Sequence, residues 1–296
     1  MKTGLKRRTI SQKRNDIARS VEVFLRTDAP AMREVRNKVL DPLQDIGEVA
    51  IVGGLVRDII RYGVDRRPIS DIDLVVEGSP SAVEVVAKRL GANRNRFGGF
   101  NFSNEYCKVD FWALSTTWAR ANANVTISKV SDLLDSTFFN WDAVLYSVTE
   151  RKAIFKDNYL KDLSEKVLEI NLETTASHKG NLIRALRRLY AWQAKPGPVL
   201  LEFIRESEKK YSWNDLLEQE LAAFHNAYLN KFCGYSEYYD YLVLSALRLR
   251  SAAQLSLFST SDLPLSEATK AVSWSYRNKA SQFCEQGDAK QLDMPL

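Results

Sequence analysis

Two neighbouring stretches decide the fold, Ile51-Val-Gly-Gly-Leu-Val-Arg-Asp58 and Ile69-Ser-Asp-Ile-Asp-Leu-Val-Val76. In the first, a short apolar strand ends at Gly53 and Gly54, and the pattern predicts a helix directly after them. Two glycines let the backbone approach a ligand closely, and the start of a helix presents unpaired N–H groups to an anion. The pattern indicates a phosphate-binding turn, to which Arg57 adds a positive charge one helical turn later.

The second stretch carries two carboxylates, Asp71 and Asp73, on a strand predicted over 71–76. Residues i and i+2 of a strand point to the same face, and two like charges held that close favour a cation between them. A third acid, Asp110, interrupts an apolar strand predicted over 108–114. Magnesium takes oxygen ligands and shares them with phosphates, so this combination predicts metal-assisted nucleotidyl or phosphoryl transfer. Asp110 would bind a second metal ion or act as base for the attacking hydroxyl.

Composition excludes several classes of protein. The chain has 296 residues, of which 45% are hydrophobic and 27% charged, which is the balance of a soluble globular protein rather than a disordered one. No apolar run approaches the length of a membrane span, and no secretory signal is evident. Three widely spaced cysteines favour a reducing compartment, and we expect a cytoplasmic protein without a disulfide framework. With two histidines, a multi-histidine metal site is excluded.

Positive charge is concentrated at the N-terminus. The net charge is +5, yet residues 1–20 alone carry seven Lys and Arg against one acid, so the rest of the chain is close to neutral. A basic arm suits a polyanion such as RNA, because neutralising phosphates releases counterions. The alternative is a solvated tail that contributes only to solubility.

The order of patterns along the chain predicts an α/β head followed by a helical body. We divide it into a basic arm with helices (1–45), a head domain (46–165), a neck helix (166–198) and a helical body (199–296). In the head, Ser79 and Pro80 are suited to begin a helix that ends near Leu90. The dense aromatic run at 235–241 favours the packed face of an amphipathic helix over a surface that stacks RNA bases. The body helices are predicted over 199–208, 213–230, 236–254 and 265–283.

The glycine and carboxylate motifs together resemble a known family. Gly53–Asp58 followed by Asp71–Val76 is similar to the signature of polymerase-β-type nucleotidyltransferases, in the group of class II CCA-adding enzymes and bacterial poly(A) polymerases. The resemblance implies an α+β fold, with a mixed-sheet head followed by an all-helical neck and body. It implies transfer of a nucleoside monophosphate from an NTP, ATP or CTP, to the 3′ end of an RNA, a tRNA or tRNA-like acceptor bound by the arm and the helical body.

The same resemblance assigns roles to individual residues. Two magnesium ions would be held by Asp71 and Asp73, with Asp110 matching the family's third carboxylate. Arg96-Phe97-Gly98-Gly99 resembles a family turn. The nucleotide-binding positions that the resemblance implies are Gly53, Gly54, Arg57, Asp58, Asp142, Arg184 and Arg187.

Two segments depart from the family pattern. Ser136-Thr137-Phe138 takes the place of an Arg-Arg-Asp triplet, and Ser177–Asn181 takes the place of a Glu-Asp-x-x-Arg motif that selects the base. These departures indicate a divergent member and leave two alternatives open. One is a nucleotidyltransferase toxin or defence enzyme that modifies a protein or tRNA acceptor. The other is a non-catalytic RNA-binding scaffold. The sequence leaves a regulatory protein partner undecided.

Overall fold

The computed structural model describes residues 10–64, 71–95, 97–105, 107–122 and 125–257. The chain forms two compact units, which divide between Lys210 and Tyr211. In the first unit the strands are β1 (Glu48–Val52), β2 (Ile72–Glu77), β3 (Asn93–Arg94), β4 (Phe100–Ser103), β5 (Lys108–Ala113), β6 (Val144–Ser147), β7 (Lys152–Phe155), β8 (Val167–Leu168) and β9 (Lys195–Pro196). Its α-helices are α1 (Ile10–Leu25), α2 (Pro30–Val35), α3 (Asp41–Gln44), α4 (Gly54–Tyr62), α5 (Pro80–Leu90), α6 (Trp118–Asn122), α7 (Tyr159–Ser164), α8 (His178–Ala191) and α9 (Pro198–Glu208).

The first unit is built on a seven-stranded mixed sheet. The strand order is β3-β4-β5-β2-β1-β6-β7, in which β2 and β5 run parallel and every other neighbouring pair runs antiparallel. Strands β8 and β9 form a separate parallel pair. A mixed sheet with helices, followed by helical segments, confirms the predicted α+β fold.

Apolar side chains cover both faces of this sheet. One face carries Leu74 and Phe111 and packs against helices α1 to α5. The opposite face carries Val75 and Leu145 and packs against the irregular helical segment between residues 114 and 135. Because side chains alternate along a strand, an acid placed between two residues of the first face stands on the second.

Helix boundaries follow the sequence signals. Helix α4 begins directly after Gly53, whose φ of 67° is in the region that favours glycine. Helix α5 begins with Pro80 at its first position, and the Ser79 hydroxyl accepts a hydrogen bond from the Ala82 N–H at 3.2 Å, as predicted. It ends at Gly91, a left-handed cap with φ 64°.

The N-terminal prediction needs correction. Residues 1–9 lie outside the described part, but residues 10–25 are not a free basic arm, since they form helix α1. Val21 is fully buried in the core, and Arg14 donates to the Phe155 carbonyl at 2.7 Å and pairs with Asp157 at 3.1 Å. The apolar stripe of this helix therefore packs on the head, and that packing outweighs the local positive charge in deciding where the segment goes.

The described part of the second unit consists of α10 (Trp213–Ala223), a 3₁₀ turn (Leu229–Lys231) and α11 (Tyr235–Leu257). Its core is aromatic, with Trp213, Phe232 and Tyr238 in mutual ring contact, so the packing prediction for the aromatic run is confirmed at Tyr238. The predicted helix over 213–230 is too long, and the segment predicted over 265–283 lies outside the described residues.

The early end of α10 has a physical cause. The buried Glu220 carboxylate accepts the N–H groups of Tyr228 at 3.0 Å and Leu229 at 2.9 Å, which folds the chain back instead of continuing the helix. Across both units, none of the helices within the described ranges is long and apolar enough to cross a membrane.

Candidate active site at the carboxylate face of the sheet

The three predicted carboxylates meet at one end of the sheet. Strands β2 and β5 are parallel neighbours, and their register places Asp73 directly beside Asp110. Asp73 lies between two core residues of the helix-covered face, so its side chain stands on the opposite face, as does that of Asp110. Asp71 precedes Asp73 by two residues and joins it there, since the negative charges of both Asp71 and Asp110 act on Asp73.

The electrostatics of this cluster favour a cation. Burial raises the pKa of Asp73 from its ordinary value, and the neighbouring charges of Asp110 and Asp71 raise it further, to about 7. The ionised form of Asp73 is disfavoured, because burial and the two neighbouring negative charges outweigh the attraction of the Lys108 ammonium. The site therefore lowers its free energy by taking up a proton or a cation.

A lysine on the same strand supplies part of that charge. The Lys108 ammonium lies between the carboxylates, 2.9 Å from Asp110 Oδ2 and 3.3 Å from Asp71 Oδ2. Asn101 on the adjacent strand donates to Asp110 Oδ1 at 2.9 Å. We did not predict either contact, although Lys108 precedes Asp110 by two residues and strand alternation places both on one face.

The donor set is chemically suited to magnesium. Three carboxylates supply hard oxygen ligands, and the Lys108 ammonium marks the position between two of them where positive charge is stabilised. With the side chains in this arrangement, the described residues contain no group of three or more His, Cys, Asp or Glu that could hold a metal ion. A divalent ion would therefore have to displace the Lys108 ammonium from its two acids.

The glycine turn lies beside the carboxylates. Strands β1 and β2 pair antiparallel with Ile51 opposite Leu74. Continuing this register by two residues places Gly53 at the end of the strands where Asp71 and Asp73 lie. Gly53 adopts φ 67° and ψ −113°, and its N–H donates to the Val144 carbonyl at 2.8 Å. Gly54 is the first residue of α4, so the open N–H groups of the first helical turn begin here.

Arg57 and Asp142, both predicted as nucleotide-binding positions, form an ion pair with each other. The Arg57 side chain is only 6% exposed and is bound to the carboxylates of Asp142 and Asp58. Asp142 also forms a two-point ion pair with Arg188, with N–O distances of 2.8 and 3.1 Å. These pairs leave Asp58, Asp142 and Arg57 joined to one another inside the head.

The paired charges shift the pKa of Asp142 strongly. Burial by itself would raise that pKa, but the charges of Arg188 and Arg57 outweigh it and lower the pKa to about 2. Asp142 therefore stays ionised at neutral pH, and its negative charge adds to those that act on Asp73. The main-chain oxygen of Asp142 lies 3.7 Å from where a Cβ on Gly53 would stand. We infer that the ion pairs of Asp142 fix the position of its main chain, which packs against the glycine turn.

Two stacked tryptophans, Trp141 and Trp192, pack against the arginines of this cluster, and we call them the tryptophan wall. Trp141 is buried and stacks on Trp192 with a centroid distance of 5.7 Å. The guanidinium carbons of Arg57 and Arg188 lie 4.9 and 5.2 Å from the Trp192 ring centre. Arg188 is not among the nucleotide-binding positions that the resemblance implies, since the family motif matches Arg184 and Arg187. Its signal was the four-residue spacing from Arg184, which places the two on one face of α8.

Solved tRNA nucleotidyltransferases resemble this chain. A Thermotoga maritima CCA-adding enzyme complexed with tRNA has 16% identity and a TM-score of 0.49, over 83% of this chain and 57% of that one. A tRNA nucleotidyltransferase with a primer tRNA and an ATP analogue has 19% identity and a TM-score of 0.45, over 83% and 68%. A tRNA-processing enzyme complex has 21% identity and a TM-score of 0.45, over 64% and 51%.

This chain spans about half the length of the first two tRNA-processing enzymes that it matches. No protein-family model matches the chain, and no curated protein sequence does. The names of these structures are those of the group that the sequence motifs resemble, and at this level of identity the similarity is one of fold alone.

The remaining predicted positions belong to helix α8 and to the segment that follows β3. Arg184 is exposed and donates to Asn181 at 3.0 Å, while Arg187 is half-buried on the same helix. Arg96 lies outside the described residues. The rest of its motif is a tight turn in which the Asn95 side chain accepts the N–H groups of Phe97 and Gly99.

Proposed function

We propose that this protein is a magnesium-dependent nucleotidyltransferase that adds a nucleoside monophosphate from ATP or CTP to the 3′ hydroxyl of a tRNA or tRNA-like RNA. The observation that carries the proposal is the side-by-side pairing of Asp73 and Asp110 on parallel strands, with the Gly53 turn at the same edge. Like charges held together at a phosphate-binding turn are costly unless a cation joins them.

The proposed reaction forms no covalent bond between the protein and the nucleotide. The 3′ oxygen forms a bond to the α-phosphorus, the bond from that phosphorus to the bridging oxygen of pyrophosphate breaks, and pyrophosphate leaves. Two magnesium ions held by Asp71, Asp73 and Asp110 would supply charge neutralisation. The carboxylates orient the hydroxyl, and Asp110 either accepts its proton or positions it for attack.

The glycine turn holds the triphosphate in this proposal. The first N–H groups of α4 point to anionic oxygens, and the absence of side chains at Gly53 and Gly54 allows close approach. Arg57 and Asp142 act as positioning residues, because their charges are bound to each other and to Arg188. Catalysis then comes mainly from orientation and electrostatic stabilisation.

The direct test is transfer of labelled nucleotide. The full chain is incubated with each labelled NTP, magnesium and total RNA, and the RNA 3′ ends are sequenced. We expect addition by the natural protein and a loss of at least a hundredfold in Asp73→Asn and Asp110→Asn. Asp45→Asn, which removes an exposed carboxylate from a short helix end, should retain activity. No label in RNA with any nucleotide contradicts the proposal, and label in protein would establish the protein-acceptor alternative.

One observation favours a second candidate, a non-catalytic RNA-binding scaffold. The Lys108 ammonium already neutralises two of the acids, as an internal cation would in a head that no longer binds metal. Calorimetry separates the two functions. A protein that binds RNA without binding a magnesium–nucleotide complex is a scaffold, whereas magnesium-dependent binding of an NTP supports the transferase.

A further inference from the structure

A cavity opens on the first unit, between helices α1, α4 and α7. Its volume is about 540 Å³, which is large enough for a ligand of twenty or so heavy atoms. Its apolar lining consists of Ile17, Ile60, Leu160, Leu163 and Trp141. Among the described residues that line it, none is a carboxylate of the candidate active site.

The charges around this cavity are unbalanced. Lys13, Arg61 and Lys166 line it, and Asp16 is the single acid among the described lining residues. An apolar cavity edged by excess positive charge is complementary to a ligand that combines an apolar body with an anionic group. The charge alone would describe many protein surfaces, so the argument depends on how Arg61 is held.

Arg61 is a partly buried guanidinium, and no carboxylate of the described residues lies within ion-pair distance of it. It stacks on Trp192 at 3.9 Å and lies 5.3 Å from the Trp141 ring centre. Its Nη1 atom is shielded from water and makes no hydrogen bond within the described part of the chain. Burial lowers the pKa of Arg61 below its ordinary value.

The two neighbouring arginines each have a carboxylate partner, unlike Arg61 within the described residues. Arg57, four residues earlier on the same helix, and Arg188, against the same tryptophan, are both neutralised by Asp142. Buried charges in proteins are normally paired in this way, because desolvation without a partner is costly. In the part of the chain that the structure describes, no carboxylate pairs with Arg61. Arg61 is one of the residues that line the cavity, so an anion bound in the cavity would lie beside it.

We propose that this cavity binds an amphipathic oxyanion, with its carboxylate, sulfonate or phosphate group paired to Arg61 and its apolar body against the Leu160 and Leu163 wall. Lys13 and Lys166 at the rim attract the anion and keep it in place. The site is distinct from the carboxylate cluster and does not depend on the proposed transfer reaction. It is, however, in contact with the same tryptophan wall that supports Arg57.

The test uses 8-anilinonaphthalene-1-sulfonate, an aromatic sulfonate whose fluorescence rises in an apolar site, titrated into the full folded chain. We expect saturable binding that decanoate displaces and that neither decanol nor inorganic phosphate displaces, because the site needs both the anion and the apolar body. Equal displacement by decanol and decanoate would overturn the proposal, since a merely apolar surface would not distinguish them.

Three variants locate the site. Arg61→Gln should weaken binding at least tenfold, and Arg61→Lys should recover part of it. Leu163→Trp should abolish binding by filling the cavity without removing a charge, which keeps the test valid if Arg61→Gln folds poorly. Arg33→Gln, which removes an exposed arginine elsewhere in the unit, should bind as the natural chain does. Unchanged affinity in both Arg61→Gln and Leu163→Trp would overturn the proposal.

Discussion

Replacing Asp142 by asparagine tests the ion-pair cluster behind the glycine turn. The side chain of Asp142 is 21% exposed, and those of its partners Arg57 and Arg188 are 6% and 12% exposed. Asparagine keeps the shape but removes the charge, which takes from Arg188 the carboxylate that pairs with it and leaves Arg57 with Asp58 alone. We expect the free energy of unfolding at pH 7 to fall by about 3–5 kcal/mol, the usual cost of breaking a buried pair from one side.

The pH dependence gives a second and independent magnitude. The pKa of Asp142 is lowered from 3.8 to about 2, so its ionisation favours the folded state above pH 4 and that contribution is lost as the pH falls through 2. At about 1.4 kcal/mol per pKa unit, the full contribution is roughly 2.5 kcal/mol. Linkage predicts that about half of it, near 1 kcal/mol, has disappeared by pH 3. The asparagine variant has no such group to titrate.

Urea unfolding followed by tryptophan fluorescence, at pH 7 and pH 3, measures both quantities. We expect the stability gap between the natural chain and Asp142→Asn to narrow by about 1 kcal/mol at the lower pH. Asp45→Asn, in which an exposed carboxylate is lost, should change stability by less than about 0.5 kcal/mol at either pH. A gap below about 1 kcal/mol at pH 7, or one that does not change with pH, would refute the assignment of Asp142 as the anion that holds this cluster together.

Three further perturbations test other parts of the molecule. Gly53→Ala places a β-carbon at φ 67° and should cost about 1–2 kcal/mol of stability, measured by thermal unfolding, and weaken NTP binding measured by calorimetry. Lys108→Met removes the ammonium that lies between two site carboxylates, so the affinity for Mn²⁺, measured by titration calorimetry, should rise; an unchanged or lower affinity would mean that the lysine does not compete with the ion. Glu220→Ala leaves two main-chain N–H groups of the second unit without their acceptor, which should lower the free energy of unfolding by about 1–3 kcal/mol for each group and therefore lower the melting temperature of this unit. Glu218→Ala on the same helix should leave the melting temperature unchanged.

The elements that depend on local signals were predictable. The helix from Pro80 to Leu90 has its cap, its proline and its terminal glycine within a dozen residues, and the structure reproduces it. Helix α10 was predicted too long, because its end is decided by a hydrogen bond between Glu220 and a segment that returns to it. In the segment predicted as a basic arm with helices (1–45), the local charge did not indicate that the helix over residues 10–25 packs its apolar face on distant parts of the head.

For the candidate site, the sequence by itself specified the chemical groups: a glycine pair before a helix and acids at alternate positions of two strands. It determined them because strand alternation and glycine's backbone freedom are properties of a few adjacent residues. The tertiary structure alone decided which charges neutralise each other. Arg57 pairs with Asp142 across 85 positions, Arg188 joins them from α8, and the buried Nη1 of Arg61 has no hydrogen-bond partner among the described residues. Ion pairs of that kind depend on which elements pack together, and side-chain charges carry no local pattern that announces their partners.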